Sequence, residues 1–268
     1  MKKLYSFLCM ALLWAAMFSC QEQDELQNEI PNDVVTRLTA AGFDTSEGFM
    51  RYKNGYLVEY DIFLTDSDIN QLSSPVSISK VAEEEHYRTY NLVTGAPRTI
   101  NVYMDPAFGS YMLNSFTTAL SRYNALGLVL TFQKTTTASN AQIQILSFFE
   151  DSNVLGFSAG FPSNSGNPAS PIRLNTKYYS NSSQRADATT VIDHEIGHAI
   201  GLRHTDYMKR KFSCGPGPGN NEGSGSVGAV YIPGTPKGPE SGSYMLACSN
   251  GTDRPFTTGD RTALTTIY

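Results

Sequence analysis

The feature that most constrains this chain is a cluster of histidines. The sequence has four histidines, and three of them lie at positions 194, 198 and 204. On a helix, residues four positions apart project from the same face, so His194 and His198 present two imidazole nitrogens to one ion. Gly201 can adopt the left-handed conformation that ends a helix, which lets the chain turn back and bring in His204. The spacing therefore predicts a helix that stops at Gly201 and three histidine ligands around one metal ion.

The number of protein ligands indicates whether the ion is catalytic or structural. Three protein ligands leave a fourth position for water, as in catalytic Zn²⁺ sites. Glu195 follows the first ligand, so its carboxylate lies beside the ligand set and can act as general base and then general acid. The sequence thus predicts one catalytic Zn²⁺ with Glu195 as the catalytic residue. A structural zinc site or a histidine-rich helix end packed into the core are the alternatives.

The pattern His-Glu-x-x-His-x-x-Gly-x-x-His resembles the long zinc motif of the metzincin metallopeptidases. Residues 194–198, which read His-Glu-Ile-Gly-His, are similar to the bacterial dual-action HEIGH metallopeptidase family, and the resemblance extends over about residues 87–268. It implies an α+β fold. A twisted mixed sheet and the active-site helix would lie above a cleft, and an irregular lower part would end in a C-terminal helix.

The same resemblance implies a methionine turn beneath the zinc. Met245 is the candidate, and the alternative is an ordinary core methionine. Some metzincins carry a tyrosine two residues after that methionine, but Ala247 stands there in this chain. No tyrosine is therefore assigned a role in the reaction. The resemblance also suggests that residues 156–160 belong to the cleft-edge strand that pairs with an extended substrate.

The first residues have the composition of an export signal. Lys2 and Lys3 precede an apolar run over residues 4–18, and the chain turns polar after Cys20. A basic start, a short apolar run and a small residue before the cut are typical of a secretory signal peptide. The ending at Cys20 resembles a bacterial lipobox, which predicts cleavage after residue 19 and lipidation of Cys20. An ordinary signal peptide that contains a cysteine is the alternative.

The remaining chain divides into three parts. Residues 20–32 are polar and are expected to form a tether. Residues 33–85 are expected to form an N-terminal appendage or pro-segment, and residues 86–268 the catalytic domain. Within the appendage, residues 56–64 read as one strand and Thr65 as a helix cap. Asp66 or Asp68 could reach the zinc and make the segment a latency device. A packing appendage without that role is the interpretation we favour from sequence.

A loop over residues 213–243 contains 9 glycines and 5 prolines, a composition that builds neither a helix nor a central strand. Cys214 and Cys248 are the two cysteines left outside the signal and the lipidation site, and in an oxidising compartment they predict a disulfide. Two free thiols are the alternative. A loop tied in this way is expected to border the functional site.

Three other polar residues are possible site residues. Asp193 and Asp206 flank the ligands, and either could accept the free ring N–H of a histidine, although a surface or helix-end carboxylate is the favoured interpretation. His86 has no partner at metal-ligand spacing, which indicates a surface histidine.

Charge narrows the possible functions. The net charge is −5 without basic runs, which argues against a nucleic-acid partner. The sequence as a whole predicts a zinc endopeptidase that acts on polypeptides, is exported to the outer membrane or cell surface, and is held at the membrane through Cys20. A periplasmic or secreted protein is the alternative location. A binding lipoprotein with a vestigial or non-proteolytic zinc site is the alternative. The oligomeric state does not follow from the sequence.

Overall fold

The computed structural model describes residues 30–72, 86–216 and 222–268. The expected signal peptide, Cys20 and most of the expected tether lie outside these residues. Within them, no helix combines the length and apolarity needed to cross a bilayer. Helices and strands are mixed along the chain, which confirms the predicted α+β class.

Residues 30–72, here called the N-terminal segment, form a small unit with its own apolar core. An antiparallel sheet in the order β1-β2-β3 packs against two helices. Leu38, Val58 and Ile62 lie at the centre of this core and are fully buried. The elements in chain order are α1 (Asn32–Ala41), β1 (Met50–Tyr52), β2 (Gly55–Val58), β3 (Ile62–Thr65) and α2 (Asp66–Gln71).

The prediction of one strand over residues 56–64 is wrong, because this stretch is a hairpin. Glu59 and Tyr60 have φ angles of 56° and 76°, and they turn β2 back into β3. The turn contains neither glycine nor proline, so the sequence gives no turn signal. The Glu59 carboxylate is buried and accepts the Asp44 N–H at 2.8 Å, which holds the turn from within. The turn places Asp61 immediately before β3.

The larger sheet has five strands in the order β6-β5-β7-β9-β8. All neighbouring pairs are parallel except β8 with β9, so the sheet is mixed, as predicted, and β8 forms an antiparallel edge. The bounds are β5 (Arg98–Met104), β6 (Leu130–Thr135), β7 (Ile143–Phe148), β8 (Gly156–Phe157) and β9 (Ile172–Asn175).

Two long helices, α3 (Gly109–Asn124) and α4 (Ala188–Ala199), share the main apolar core with this sheet. Almost every residue of α4 is buried. The chain beyond α4 is largely irregular. It contains α5 (Lys211–Cys214), the strand β10 (Val230–Tyr231), which pairs with β4 (Tyr87–Arg88) from an earlier part of the chain, and the C-terminal helix α6 (Thr258–Ile267).

A disulfide joins Cys214 to Cys248, as predicted. It connects the end of α5 to a segment that lies between Met245 and α6, across 34 residues of chain. The Ser213 hydroxyl supports the same junction by accepting the Cys248 N–H at 3.0 Å. The glycine-rich loop is therefore fixed at both of its ends.

Removing this crosslink should lower stability. In the chain-entropy model, closing a loop of this length contributes about 4 kcal/mol, because it restricts the unfolded chain. We expect the double variant Cys214→Ser/Cys248→Ser to lose roughly that free energy of unfolding in urea titrations. An unfolding midpoint equal to that of the unaltered oxidised protein would contradict this expectation.

Candidate metal centre

The local fold brings the three predicted ligands together. His194 and His198 lie on α4, and Gly201 has a φ angle of 109°, the left-handed conformation expected at a helix end. The Leu202 N–H donates to the Gly197 carbonyl at 2.9 Å, which closes the end of the helix. The chain then turns back and places His204 against the other two rings.

The three Nε2 atoms converge. The distance is 3.0 Å between those of His194 and His198, and 3.2 Å between those of His198 and His204. His198 and His204 are fully buried, and His194 is 7% exposed. A tetrahedral zinc ion with Zn–N bonds of about 2.0–2.1 Å would hold ligand nitrogens about 3.3 Å apart. The observed spacing is close to that value.

The opposite ring nitrogens show which atoms carry protons. The Nδ1 atom of each histidine faces an acceptor: the Tyr244 carbonyl for His194 (2.9 Å), the Leu202 carbonyl for His198 (2.9 Å) and the Glu222 carboxylate for His204 (2.6 Å). Each Nδ1 therefore donates, so the Nε2 lone pairs face one another when all three rings are neutral, as binding of a metal ion requires. Such lone pairs repel unless a cation lies among them.

A fourth ligand atom comes from the N-terminal segment. Asp61 Oδ2 lies 3.0 Å from His204 Nε2 and 3.3 Å from His194 Nε2. Burial alone would raise the pKa of Asp61, but the facing histidine rings hold it well below its usual range. A buried carboxylate therefore joins three imidazoles, and this donor set suits one zinc ion.

Glu195 lies beside this group rather than within it. Its side chain is 3% exposed, and its Oε2 atom has no hydrogen-bond partner among the described residues. Burial, followed by the nearby Asp61 charge, raises the pKa of Glu195 well above its ordinary value. Glu195 and His194 also line a cavity of about 570 Å³. Glu195 therefore borders this cavity together with the first ligand.

A buried charge network lies behind His204. Glu222 accepts from His204 Nδ1 and also from Arg210 Nη1 at 2.7 Å and Arg203 Nη2 at 3.0 Å. Although burial opposes ionisation, the His204 ring and the two guanidinium groups hold the pKa of Glu222 well below its usual range. Arg203 also donates to the Gly42 carbonyl at 3.1 Å, which ties the N-terminal segment to the same network. The third ligand is therefore oriented by a hydrogen-bonded network that joins three parts of the chain.

Several predictions about nearby polar residues are wrong. Asp193 and Asp206 are buried rather than on the surface, because Arg122 donates to Asp193 at 2.8 Å and Asp206 accepts from the Ser213 hydroxyl at 2.6 Å. Neither aspartate accepts a ligand ring N–H. His86 is also buried, and this lowers its pKa to about 4.

The predicted latency residues are not those at the metal centre. Asp66 and Asp68 are exposed on α2, and Asp68 forms a capping box with Thr65. Asp61, five residues before Asp66, lies at the histidines instead, because the hairpin turn places it there. In the sequence, Asp61 lies within a stretch that reads as one continuous strand, so nothing marks it as a site residue.

Met245 is fully buried beneath α4, in contact range of Gly197. A Cβ atom at Gly197 would come within 2.4 Å of Met245 Sδ, so the helix needs glycine at this position to approach the methionine. Tyr244 directs its hydroxyl toward that of Tyr123 (3.3 Å), while its carbonyl faces His194. Ala247 lies on the wall of the cavity.

The N-terminal segment also occupies the edge of the larger sheet. Beyond β8, Ser158 donates its N–H to the Asp61 carbonyl and accepts from the Phe63 N–H, both at 2.8 Å. This is the stretch expected to pair with an extended substrate. Residues 61–63 thus reach the metal centre, through the Asp61 carboxylate, and also the backbone edge of the larger sheet.

Sequence reasoning missed Asp61, Glu222 and the arginines that hold Glu222. One usable signal existed, since Glu222 is the sole acidic residue between Asp206 and Glu240, within a loop already expected to border the site. Arg203 also lies next to the last ligand. Asp61 had no comparable signal.

Comparisons with solved structures give only distant similarities. The chain is similar to a structure of myroilysin at 12% identity and a TM-score of 0.45, covering 68% of this chain and 98% of that one. A hatching enzyme zinc-protease from the medaka fish Oryzias latipes matches at 12% identity and a TM-score of 0.39, covering 73% and 98%. No curated protein sequence matches the chain.

The comparison with protein families gives a match over most of the chain. The family described as dual-action HEIGH metallo-peptidase matches residues 57–268, which include Asp61, the motif on α4 and the C-terminal helix. The match covers most of the chain and confirms a metallopeptidase with a polypeptide substrate. This chain belongs to the dual-action HEIGH metallo-peptidases.

Proposed function

We propose that this protein is a zinc endopeptidase that uses Glu195 as its proton carrier and is held latent by its own N-terminal segment. The observation that carries the proposal is the convergence of three Nε2 atoms and Asp61 Oδ2 beside a buried carboxyl group that lines a cavity. His194, His198 and His204 would hold the ion. We favour cleavage at an internal peptide bond because Gly156 of the edge strand β8 lines the cavity, and an extended polypeptide could lie along that strand.

The chain's own residues supply the proton chemistry. A zinc ion bound here would lower the pKa of water toward ~7 and polarise the substrate carbonyl. Glu195 would accept a proton from the attacking water and deliver it to the leaving amine. The backbone of Ser158 would align the substrate as an added strand.

Replacing Glu195 with glutamine should abolish turnover without removing the metal. Glutamine has nearly the same volume but cannot accept the proton, and it is not a ligand. With latency weakened by Asp61→Asn in both proteins, we expect at least a ~10²-fold loss of peptide cleavage, with zinc content unchanged by mass spectrometry. Glu47→Gln, which does not line the cavity, is the matched control. Peptide cleavage by Glu195→Gln at the unaltered rate would contradict the proposed role.

Latency is proposed because Asp61 occupies two places that a substrate would need. Its carboxylate stands among the ligand nitrogens, where water is required, and its backbone pairs with Ser158. The segment is also anchored at a distance, since Glu59 is buried with Arg203 Nη2 3.5 Å away, and Arg210 donates to the Glu59 carbonyl at 3.3 Å. Activation would require Asp61 to leave the site, by cleavage or displacement of the N-terminal segment.

Weakening Asp61 as a ligand should therefore activate the full-length protein. Asp61→Asn removes the charge that attracts the ion and keeps the volume. We expect peptide cleavage per bound zinc to rise by about tenfold or more, the effect of losing one charged contact. Asp33→Asn, an exposed change on the same segment, should have no effect. A rate per bound zinc that stays equal or falls would contradict latency through Asp61.

We further propose that the protein is exported and lipid-anchored through Cys20. The basic and apolar character of residues 2–18 supports export, and the Cys214–Cys248 disulfide suits an oxidising compartment. Mass spectrometry of the native protein should find an N-terminus at Cys20 that carries acyl chains, and Cys20→Ala should release the protein from membranes. An uncleaved N-terminus would contradict export by this signal.

A further inference from the structure

The cavity beside Glu195 contains a buried cation without a partner. Arg254 lines this cavity and is 6% exposed. Among residues 30–72, 86–216 and 222–268, no acceptor hydrogen-bonds its guanidinium group and no carboxylate pairs with it; the Nε atom is fully enclosed. An unpaired guanidinium at this depth is unfavourable unless a partner arrives, because burial removes its hydration.

The nearby carboxylates are already engaged. Asp253, the preceding residue, binds both Nη atoms of Arg122 at 2.6 and 3.0 Å. Asp187 pairs with Arg185 at 2.7 Å. The other two acidic groups close enough to act on Arg254 are Asp206 and Asp260, which accept from Ser213 and Ser243. Burial outweighs the attraction of these carboxylates and lowers the pKa of Arg254.

The position of Arg254 is fixed relative to the metal centre. Its backbone N–H donates to the Thr190 hydroxyl at 2.6 Å, and Thr190 lies one helical turn before His194 on α4. The helix that carries two metal ligands therefore also holds this arginine in place. Both Thr190 and Arg254 line the cavity.

The cavity is large enough for a long side chain and is otherwise mostly apolar. Its volume is about 570 Å³, and Val154, Val191 and Leu246 form part of its wall. Within the described wall, Arg254 is the single arginine or lysine. The carboxylates there are Asp61 and Glu195 at the metal centre and Glu150, which accepts the Tyr52 hydroxyl at 2.6 Å.

We propose that Arg254 binds a carboxylate of the peptide substrate close to the scissile bond, so that the enzyme selects acidic peptides. The inference rests on the proposed peptidase function and deepens it. A guanidinium group presents two parallel N–H donors that match a carboxylate, and the enclosed site makes this pairing stronger than it is in water. The carboxylate belongs either to a glutamate or aspartate side chain or to the C-terminus of a short peptide.

The test compares matched peptides. In one set, Glu, Gln or Leu is placed in turn at each position that flanks the cleaved bond, and in a second set the C-terminus is free or amidated. Cleavage is measured with the zinc-loaded full-length protein, and with Asp61→Asn if the unaltered protein is slow. We expect one position, or the free C-terminus, to favour the carboxylate over its amide by about tenfold in kcat/KM.

Variants of the arginine decide the assignment. Arg254→Gln should reduce the Glu-to-Gln ratio to within about twofold, and Arg254→Lys, which keeps the charge but not the paired donors, should give an intermediate ratio. Arg261→Gln, an arginine that does not line the cavity, should leave the ratio as it is. Thermal unfolding and zinc content verify that each variant is folded.

Binding gives a readout that does not need turnover. On a background that combines Asp61→Asn, to weaken the latency contact, with Glu195→Gln, fluorescence anisotropy should show tighter binding of the labelled Glu peptide than of its Gln counterpart, and Arg254→Gln should remove the difference. A ratio within twofold in the unaltered protein, or one that survives in Arg254→Gln, would overturn the proposal. Absence of cleavage of every peptide by both the unaltered protein and Asp61→Asn would instead count against the peptidase function, and the binding comparison would still decide the role of Arg254.

Discussion

The structure depends on the convergence, at the end of α4, of ring nitrogens that repel one another when the rings are neutral. Each ligand histidine has its Nδ1 proton committed to an acceptor, so three Nε2 lone pairs and one carboxylate oxygen face a common centre. Burial strengthens this repulsion because water cannot screen it. A divalent cation turns the same arrangement into a stable one. The Gly201 turn, the Glu222 carboxylate and the Gly197–Met245 contact all serve to keep these atoms close.

The N-terminal segment contacts both the metal centre and the charged residues behind it. Asp61 contributes to the ligand group, and Glu59 and the Gly42 carbonyl meet the arginines that hold Glu222. The pKa of Glu59 is raised to about 7 by burial and by the neighbouring Glu222 charge, so the network contains one carboxyl group that is readily neutralised. Departure of the segment would therefore alter both the metal ligands and the charges behind them. Under the proposed latency, this coupling would let a small N-terminal segment control a site located mainly on α4.

The motif residues were predictable because their geometry is local. A helical spacing of four and a glycine three residues later determine where His194, His198 and His204 lie, and the same spacing places Glu195 beside them. The mixed α+β class and the disulfide were also predicted correctly. Asp61 and Glu222 could not be placed, because long-range packing brings them to the site across 133 and 18 residues of chain. The buried positions of His86, Asp193 and Asp206 were missed for the same reason, since their environment comes from distant segments.

X-ray absorption at the zinc edge on the full-length protein tests the central claim most directly. The account predicts one zinc ion per chain, with three imidazole nitrogens and one carboxylate oxygen in its coordination shell, and loss of the oxygen contribution from a carboxylate in Asp61→Asn. A shell with two or fewer imidazoles, a shell containing sulfur, or a protein that takes up no zinc would contradict it.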